Sequence, residues 1–172
     1  ETNPATAWRK IAGTNETIGI KVYTATGRNV GTRPEVAAAV VKGLIAAGVK
    51  HDRIIIWDRH IADLRAAGFT TVGETLGVRV LGAAEAGWNP KIYYDAALIG
   101  HLVYGDLEFG KKEENGIGRK SHLSKLLTSD ITRIINIAPV LNHSEAGVSG
   151  NLYSLAFGGA DLAIADGDVE TF

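Results

Sequence analysis

Residues 17–57 have the pattern strand, helix, strand, and this pattern constrains the fold more than any other feature of the sequence. Thr17 to Tyr23 (TIGIKVY) is an apolar, β-branched run with one interior lysine, which is typical of a strand. Arg53 to Trp57 (RIIIW) is almost continuously apolar, as strands buried on both faces of a parallel sheet are. The pattern therefore predicts a right-handed βαβ unit with parallel strands.

The helix between these strands has clear signals at both ends. Thr32 is placed to cap its N-terminus, Pro34 is acceptable in the first turn, and Glu35 complements the helix dipole there. Gly48 ends the helix. The residues predicted to line its core-facing side are Val36, Val40, Leu44 and Ala47.

The alternation of helices and strands continues along the chain. The sequence predicts a helix over Ile61–Ala67 and a strand over Val78–Leu81. Ser121 to Leu127 is predicted to form a helix, and Arg133 to Ala138 a further strand. We therefore expect an α/β fold with a Rossmann-like, mostly parallel sheet and helices on both faces. Residues 1–172 are interpreted as a single domain with an irregular excursion at about 82–120, and as a fragment of a longer protein.

Composition excludes several classes of protein and site. The formal net charge of -1 leaves no basic excess for a nucleic-acid backbone. No apolar run approaches the roughly 20 residues of a transmembrane helix, so no membrane span is predicted. The absence of cysteine rules out disulfides, thiolate zinc sites and cysteine-ligated iron–sulfur clusters in this chain. A divalent metal would need histidine, carboxylate or substrate ligands, and a homo-oligomer is left open.

The loop before the first helix contains the segment GRNVGTRP. Ligands of open α/β sheets bind beyond the carboxyl ends of the strands, where this loop is expected. Arg28, Thr32 and Arg33 would combine guanidinium groups with a helix N-terminus, as an anion site requires. In the alternative interpretation the glycines only shape the turn and the arginines are solvated.

The segment WDRH directly follows the second strand. Asp58, Arg59 and His60 supply a carboxylate, a permanent cation and an imidazole that can transfer protons or bind a metal. The alternative is that Asp58 or His60 caps the next helix and Arg59 pairs with a nearby acid.

The segment NHSEAGVSG follows the last predicted strand. Asn142 and His143 are the candidate ligand-binding and catalytic residues, and His143 and His60 are the candidate metal ligands. Gly147 and Gly150 would let the backbone fold closely over a ligand. A plain polar turn is the alternative.

Several segments together resemble the domain-of-unknown-function 362 family over nearly the whole chain. These segments are AWRKIAG, IGIKVYTATGR, TRPEVAAAVVKGLIAAGV, RIIIWDRHIADLRAAGF, SHLSKLLTSDITRIINIAPVLNH and AGVSGNLYSLAFG. Some members of that family are exported by the twin-arginine route, so the resemblance implies an exported protein. Without it, the chain would be interpreted as cytoplasmic.

A second, more distant similarity is to the N-terminal domain of the nickel-pincer lactate racemase family. Thr32, Arg33 and Pro34 match its Thr-Arg-Pro loop, His60 lies near its Gly-Thr-His-Arg motif, and His143 matches the histidine before its glycines. This similarity implies that Arg33 binds a substrate carboxylate and that His60 and His143 exchange protons with opposite faces of a carbon atom. The lysine that tethers the pincer cofactor in that family has no counterpart here.

The sequence thus supports two functional hypotheses. In the first, the protein is a racemase-like or isomerase-like enzyme that acts on a small carboxylate-bearing molecule, with Asp58, His60 and His143 as catalytic residues. In the second, it is a non-catalytic ligand-binding or assembly module that uses the same cleft for a small anionic ligand. Convergence of His60 and His143 on one pocket is what the enzyme hypothesis requires.

Overall fold

The described structure contains eight strands and six α-helices. A computed structural model of the chain describes residues 3–95, 120–143 and 147–160. The strands are β1 (Ile18–Lys21), β2 (Ile54–Asp58), β3 (Arg79–Gly82), β4 (Trp88–Asp95), β5 (Lys120–Ser124), β6 (Arg133–Asn136), β7 (Leu141–His143) and β8 (Gly147–Ser149). The helices are α1 (Pro4–Ile11), α2 (Pro34–Ala46), α3 (Ile61–Ala66), α4 (Phe69–Leu76), α5 (Ala83–Ala86) and α6 (Asn151–Gly159). Short 3-10 and π-helical turns lie at His51–Arg53 and Leu126–Asp130.

A four-stranded parallel sheet with the order β3-β2-β1-β6 forms the centre of the fold. Ile18 of β1 pairs with Ile54 of β2 on one side and with Arg133 of β6 on the other. Strand β2 lies inside the sheet, and all five of its residues are buried. The predicted α/β fold with parallel β1 and β2 is therefore confirmed.

Side chains that alternate along the strands form two hydrophobic clusters, one on each face of the sheet. On one face, Ile18, Ile20, Ile54 and Ile56 pack with residues of α2, α3 and α4. On the other face, Ile55 and Trp57 pack with Ala83, Leu126 and Leu155 of the elements that cover that side. The helices thus lie on both faces, as predicted.

Helix α2 forms where the sequence predicts it, but its N-cap and one of its four predicted core-facing residues, Val36, differ from the prediction. Arg33, not Thr32, occupies the N-cap position, and it makes no side-chain capping bond. Leu44 and Ala47 are buried and Val40 packs partly buried against the core, as predicted, whereas Val36 is 48% exposed. The other buried residues of α2 are Pro34, Ala37 and Val41. The sequence assigns Val36 to the wrong side because PEVAAAVVKGLIA is apolar nearly all round and does not fix the rotation of the helix about its axis.

The helix predicted over Ser121–Leu127 is wrong. Residues Lys120–Ser124 form β5, which pairs antiparallel with β4, and the π-helical turn follows. The Ser124 hydroxyl donates to the carbonyl of Ala83 at 2.8 Å and accepts from the Leu126 amide at 3.2 Å, which fixes the end of the strand. Cross-strand pairing has overridden the local helix signal.

The predicted irregular excursion at 82–120 has regular structure at both ends. Helix α5 and β4 lie at its beginning, and β5 begins at its last residue. Residues 96–119 lie outside the described part of the chain. The polar segment after β6, predicted as a loop, forms the antiparallel pair β7 and β8.

None of the described helices is both long enough and apolar enough to span a lipid bilayer.

Two matched substitutions in α2 test which side of this helix faces the core. Ala37 is fully buried against the sheet, whereas Ala39 of the same helix is exposed. We expect Ala37→Gln to lower the free energy of unfolding by about 2 to 3 kcal/mol, because a larger polar side chain must enter a packed apolar site. Ala39→Gln should change it by less than about 0.5 kcal/mol. Urea denaturation measures both, and equal effects would mean that the other side of α2 faces the core.

Candidate functional site

The spatial order of successive strands in the sheet reverses between β1 and β6. The chain adds β2 and then β3 on one side of β1, and later places β6 on the other side. The loops that follow β1 and β6 therefore leave the sheet in different directions. In open α/β sheets such a reversal creates a crevice at the carboxyl ends of the strands, and ligands bind there.

Thr32 connects the ends of the two strands at this reversal of strand order. Its hydroxyl accepts a hydrogen bond from the Tyr23 amide at 2.9 Å and donates one to the Ile137 carbonyl at 3.1 Å. Gly31 lies so close to the chain just after β1 that a Cβ atom there would come within 2.3 Å of the Tyr23 carbonyl oxygen. Thr32 is buried, and its hydroxyl serves this connection instead of capping α2.

Arg28 and Arg33 place positive charge in the loop before α2. Both residues are exposed, and Nη2 of Arg28 lies 3.3 Å from Oε1 of Glu35. The pKa of the Glu35 carboxyl is lowered, first by a backbone hydrogen bond and then by Arg28 and Arg33. The loop after β1 thus holds two guanidinium groups, with that of Arg28 paired to a surface carboxylate.

A buried ion pair between Lys21 and Asp58 lies beside these loops, and sequence reasoning missed its lysine. Lys21 is 0% exposed, and its ammonium donates to Oδ1 of Asp58 at 2.7 Å. It also donates to the Ser154 hydroxyl at 2.9 Å and to the Val22 carbonyl at 2.5 Å. All three N–H groups of the ammonium are therefore satisfied.

The carboxylate of Asp58 organises the beginning of the loop that follows β1. Its Oδ2 accepts from the Thr24 amide at 2.7 Å and from the Thr24 hydroxyl at 2.6 Å. Its Oδ1 accepts from the Arg59 amide at 2.8 Å in addition to Lys21. With donors on both oxygens, buried Asp58 is suited to positioning the loop.

Burial lowers the pKa of Lys21 below its ordinary value of 10.5, because desolvation of the ammonium outweighs the attraction of Asp58. The ammonium also lies 5.5 Å from the centre of the Trp57 ring. Burial of the Lys21 ammonium is thus unfavourable for the free energy of folding, and its hydrogen bonds to Asp58, Ser154 and Val22 offset this cost.

Helix α6 covers the ion pair. Gly158 packs directly on Lys21, where a Cβ atom would come within 2.4 Å of the lysine Cε. The Asn136 side chain donates to the Asn151 carbonyl at 2.5 Å and attaches the beginning of α6 to β6. The single lysine in TIGIKVY and the small residues of α6 were the available signals for this arrangement.

His60 lies on the β3 side of the sheet end. It occupies the N-cap position of α3, and its Nδ1 is 4.0 Å from Oε1 of Glu85. Both side chains are about half exposed. The neighbour that the structure gives His60 is thus Glu85, a residue that sequence reasoning did not select.

His143 lies at the end of β7. Its ring centre is 4.6 Å from that of Tyr153, which in turn stacks on Phe157. Asn142 and Gly147 are exposed on the β7–β8 pair, where Gly147 has a φ of 74°, and Gly150 occupies the N-cap position of α6. His143 thus belongs to an aromatic group on α6, whereas His60 belongs to the end of β3.

The structure therefore divides the candidate residues into separate groups. Thr32 joins the ends of β1 and β6, Asp58 joins β2 to the loop after β1, and the two histidines have different neighbours. Within residues 3–95, 120–143 and 147–160, no group of three or more histidine or acidic residues could hold a metal ion. The predicted roles of the individual residues stay predictions.

Comparisons with protein families, with curated proteins and with solved structures found no match to this chain.

The lowered pKa of Lys21 predicts how stability depends on pH. Between its lowered pKa and 10.5, Lys21 is protonated in the unfolded chain and deprotonated in the folded protein. The unfolded state then binds more protons, so this group makes the free energy of unfolding rise as the pH rises through that interval.

Lys21→Met isolates this contribution. It should cost about 3 to 5 kcal/mol at neutral pH, because it leaves the Asp58 charge buried without its partner. Urea denaturation from pH 7 to 10.5 should show the gap in stability between wild type and Lys21→Met widening as the pH rises. The exposed Lys10→Met is the control and should follow the wild-type curve. A gap that stays constant or narrows would contradict the lowered pKa.

Proposed function

We propose that the protein binds a small carboxylate-bearing molecule in the crevice between the carboxyl ends of β1 and β6. The observation that carries this proposal is the reversal of strand order next to β1, with exposed Arg33 immediately before α2. A crevice of this kind is the usual ligand site of open α/β sheets.

The charges around the crevice favour an anion. Arg28 is paired with Glu35, whereas Arg33 makes no ion pair with another described residue. A guanidinium group can bind a carboxylate through two parallel hydrogen bonds. The 13-residue helix α2 begins beside Arg33, and the positive end of its dipole adds to the attraction.

Replacement of Arg33 tests the binding proposal. We expect Arg33→Gln to weaken binding of lactate by about tenfold or more, because a charge-assisted hydrogen bond contributes about 1.5 to 3 kcal/mol. The control is Arg79→Gln, which removes the same charge at the amino end of β3 and should leave binding unchanged. Calorimetric titration measures the affinity, with neutral lactamide as the reference ligand. Equal effects of the two substitutions would refute a role for the crevice.

The catalytic part of the proposal is a racemase-like or isomerase-like reaction on that molecule. Its support is the distant similarity to the nickel-pincer lactate racemase family, in which His143 matches a proton-transferring histidine. Proton abstraction next to a carboxylate needs a base within hydrogen-bond reach of the carbon-bound proton. His143 is the residue that we propose for this role; His60, which lies beside Glu85 at the β3 side of the sheet, is not part of it.

Exchange of the carbon-bound hydrogen tests the catalytic proposal separately from binding. In D2O the wild-type protein should introduce deuterium at C2 of lactate, and His143→Asn should abolish this exchange while keeping the melting temperature within a few degrees. Proton NMR measures the exchange, and thermal denaturation measures stability. Normal exchange by His143→Asn, or a large loss of stability, would show that His143 is a structural residue.

A non-catalytic binding module is the second candidate function. The observation that favours it is the saturation of Asp58, whose two oxygens already accept four hydrogen bonds. This carboxylate would have to give up a partner to act as a base. Lactate binding that depends on Arg33 without any deuterium exchange would support this candidate over the enzyme.

A further inference from the structure

A cavity of about 200 Å³ opens between α3, β3 and α5, on the β3 side of the sheet. It is lined by Ile61, Val80, Leu81, Gly82, Glu85 and Ala86. Four of these residues present aliphatic side chains, so the walls are mainly apolar. A cavity of about 150 Å³ is large enough to hold benzene. The cavity therefore suits a small ring or a short alkyl chain.

Glu85 is the one charged residue among the described residues that line this cavity. Its Oε2 accepts a hydrogen bond from the Ile61 amide at 3.2 Å, which holds the carboxylate at the end of β3. Its Oε1 faces Nδ1 of His60 at 4.0 Å, beyond hydrogen-bond distance. The carboxylate is about half exposed and is held by this one hydrogen bond, so its other oxygen can accept a hydrogen bond from a ligand.

Gly82 makes this position of Glu85 possible. A Cβ atom at residue 82 would come within 1.8 Å of Oε2 of Glu85 and within 2.6 Å of the Ile61 amide nitrogen. Any other residue would push the carboxylate away from the end of the strand. Gly82, Ile61 and Glu85 are therefore closely packed at one end of the cavity.

We propose that this cavity binds a small apolar ammonium ion, with its hydrocarbon part among Ile61, Val80 and Leu81 and its charged nitrogen at Glu85. Apolar walls alone would accept a neutral molecule, but a single carboxylate in the lining selects a cation. This site is separate from the crevice between β1 and β6, since it lies at the ends of β2 and β3 and attracts the opposite charge. The proposal does not rest on the proposed function.

Benzylammonium is the probe, and benzyl alcohol is its neutral counterpart of similar size. In methyl-resolved NMR titrations of the full chain, benzylammonium should cause saturable shifts of the Ile61, Val80, Leu81 and Ala86 methyl signals. Benzyl alcohol should bind at least about threefold more weakly, as expected for loss of one partly exposed charge pair. Equal binding of the two probes would overturn the selection of a cation, and the absence of saturable shifts would overturn the site.

Two substitutions and a control test which residues of the cavity contribute to binding. Glu85→Gln keeps an oxygen for the Ile61 amide but removes the charge, and it should weaken benzylammonium binding by about threefold to tenfold while leaving benzyl alcohol unaffected. Ala86→Leu should fill the cavity and abolish binding of both probes. Glu74→Gln removes an exposed charge from α4 and should change neither affinity. Unchanged benzylammonium binding by Glu85→Gln, or an equal loss with Glu74→Gln, would refute the proposal.

Discussion

The ion pair between Lys21 and Asp58 is the interaction on which the rest of the described structure depends. It lies at the carboxyl ends of β1 and β2, and its partners reach the loop after β1 through Thr24 and helix α6 through Ser154. A buried ammonium is unfavourable by itself, so each of these partners must be in place for the core to be stable. One interaction thus couples the sheet, the first loop and the last described helix.

The residues that shape the carboxyl end of the sheet are therefore different from the exposed residues that can bind a ligand. Asp58 and Thr32 are buried and bonded on all sides, and they hold the loops in which Arg33 and His60 are exposed. The two proposed sites lie at different strand ends and carry opposite charge. A carboxylate-bearing molecule suits the arginine side, and an apolar cation suits the glutamate side.

The sequence predicts the parallel strands and α2 well, because strand runs such as RIIIW and helix signals such as Pro34 are local. It does not predict β5, since the strand state of Lys120–Ser124 depends on pairing with β4 across 24 intervening residues, 96–119. It also selects Asp58 without its partner Lys21, because a lysine inside a strand is ordinarily solvated. The contact with Ser154, 133 residues away in the sequence, reverses that expectation.

The separation of β6 from β1 along the chain also orders the assembly of the molecule. Contacts at the beginning of these strands join residues 115 positions apart, as between Thr17 and Thr132, whereas Lys21 and Asp58 are only 37 apart. Closing the longer loop costs more conformational entropy. In the order of synthesis β1, α2, β2 and β3 precede β6, and α6, whose Ser154 and Gly158 contact Lys21, is the last of the described helices. The residues that complete the burial of Lys21 are therefore made after both members of the ion pair.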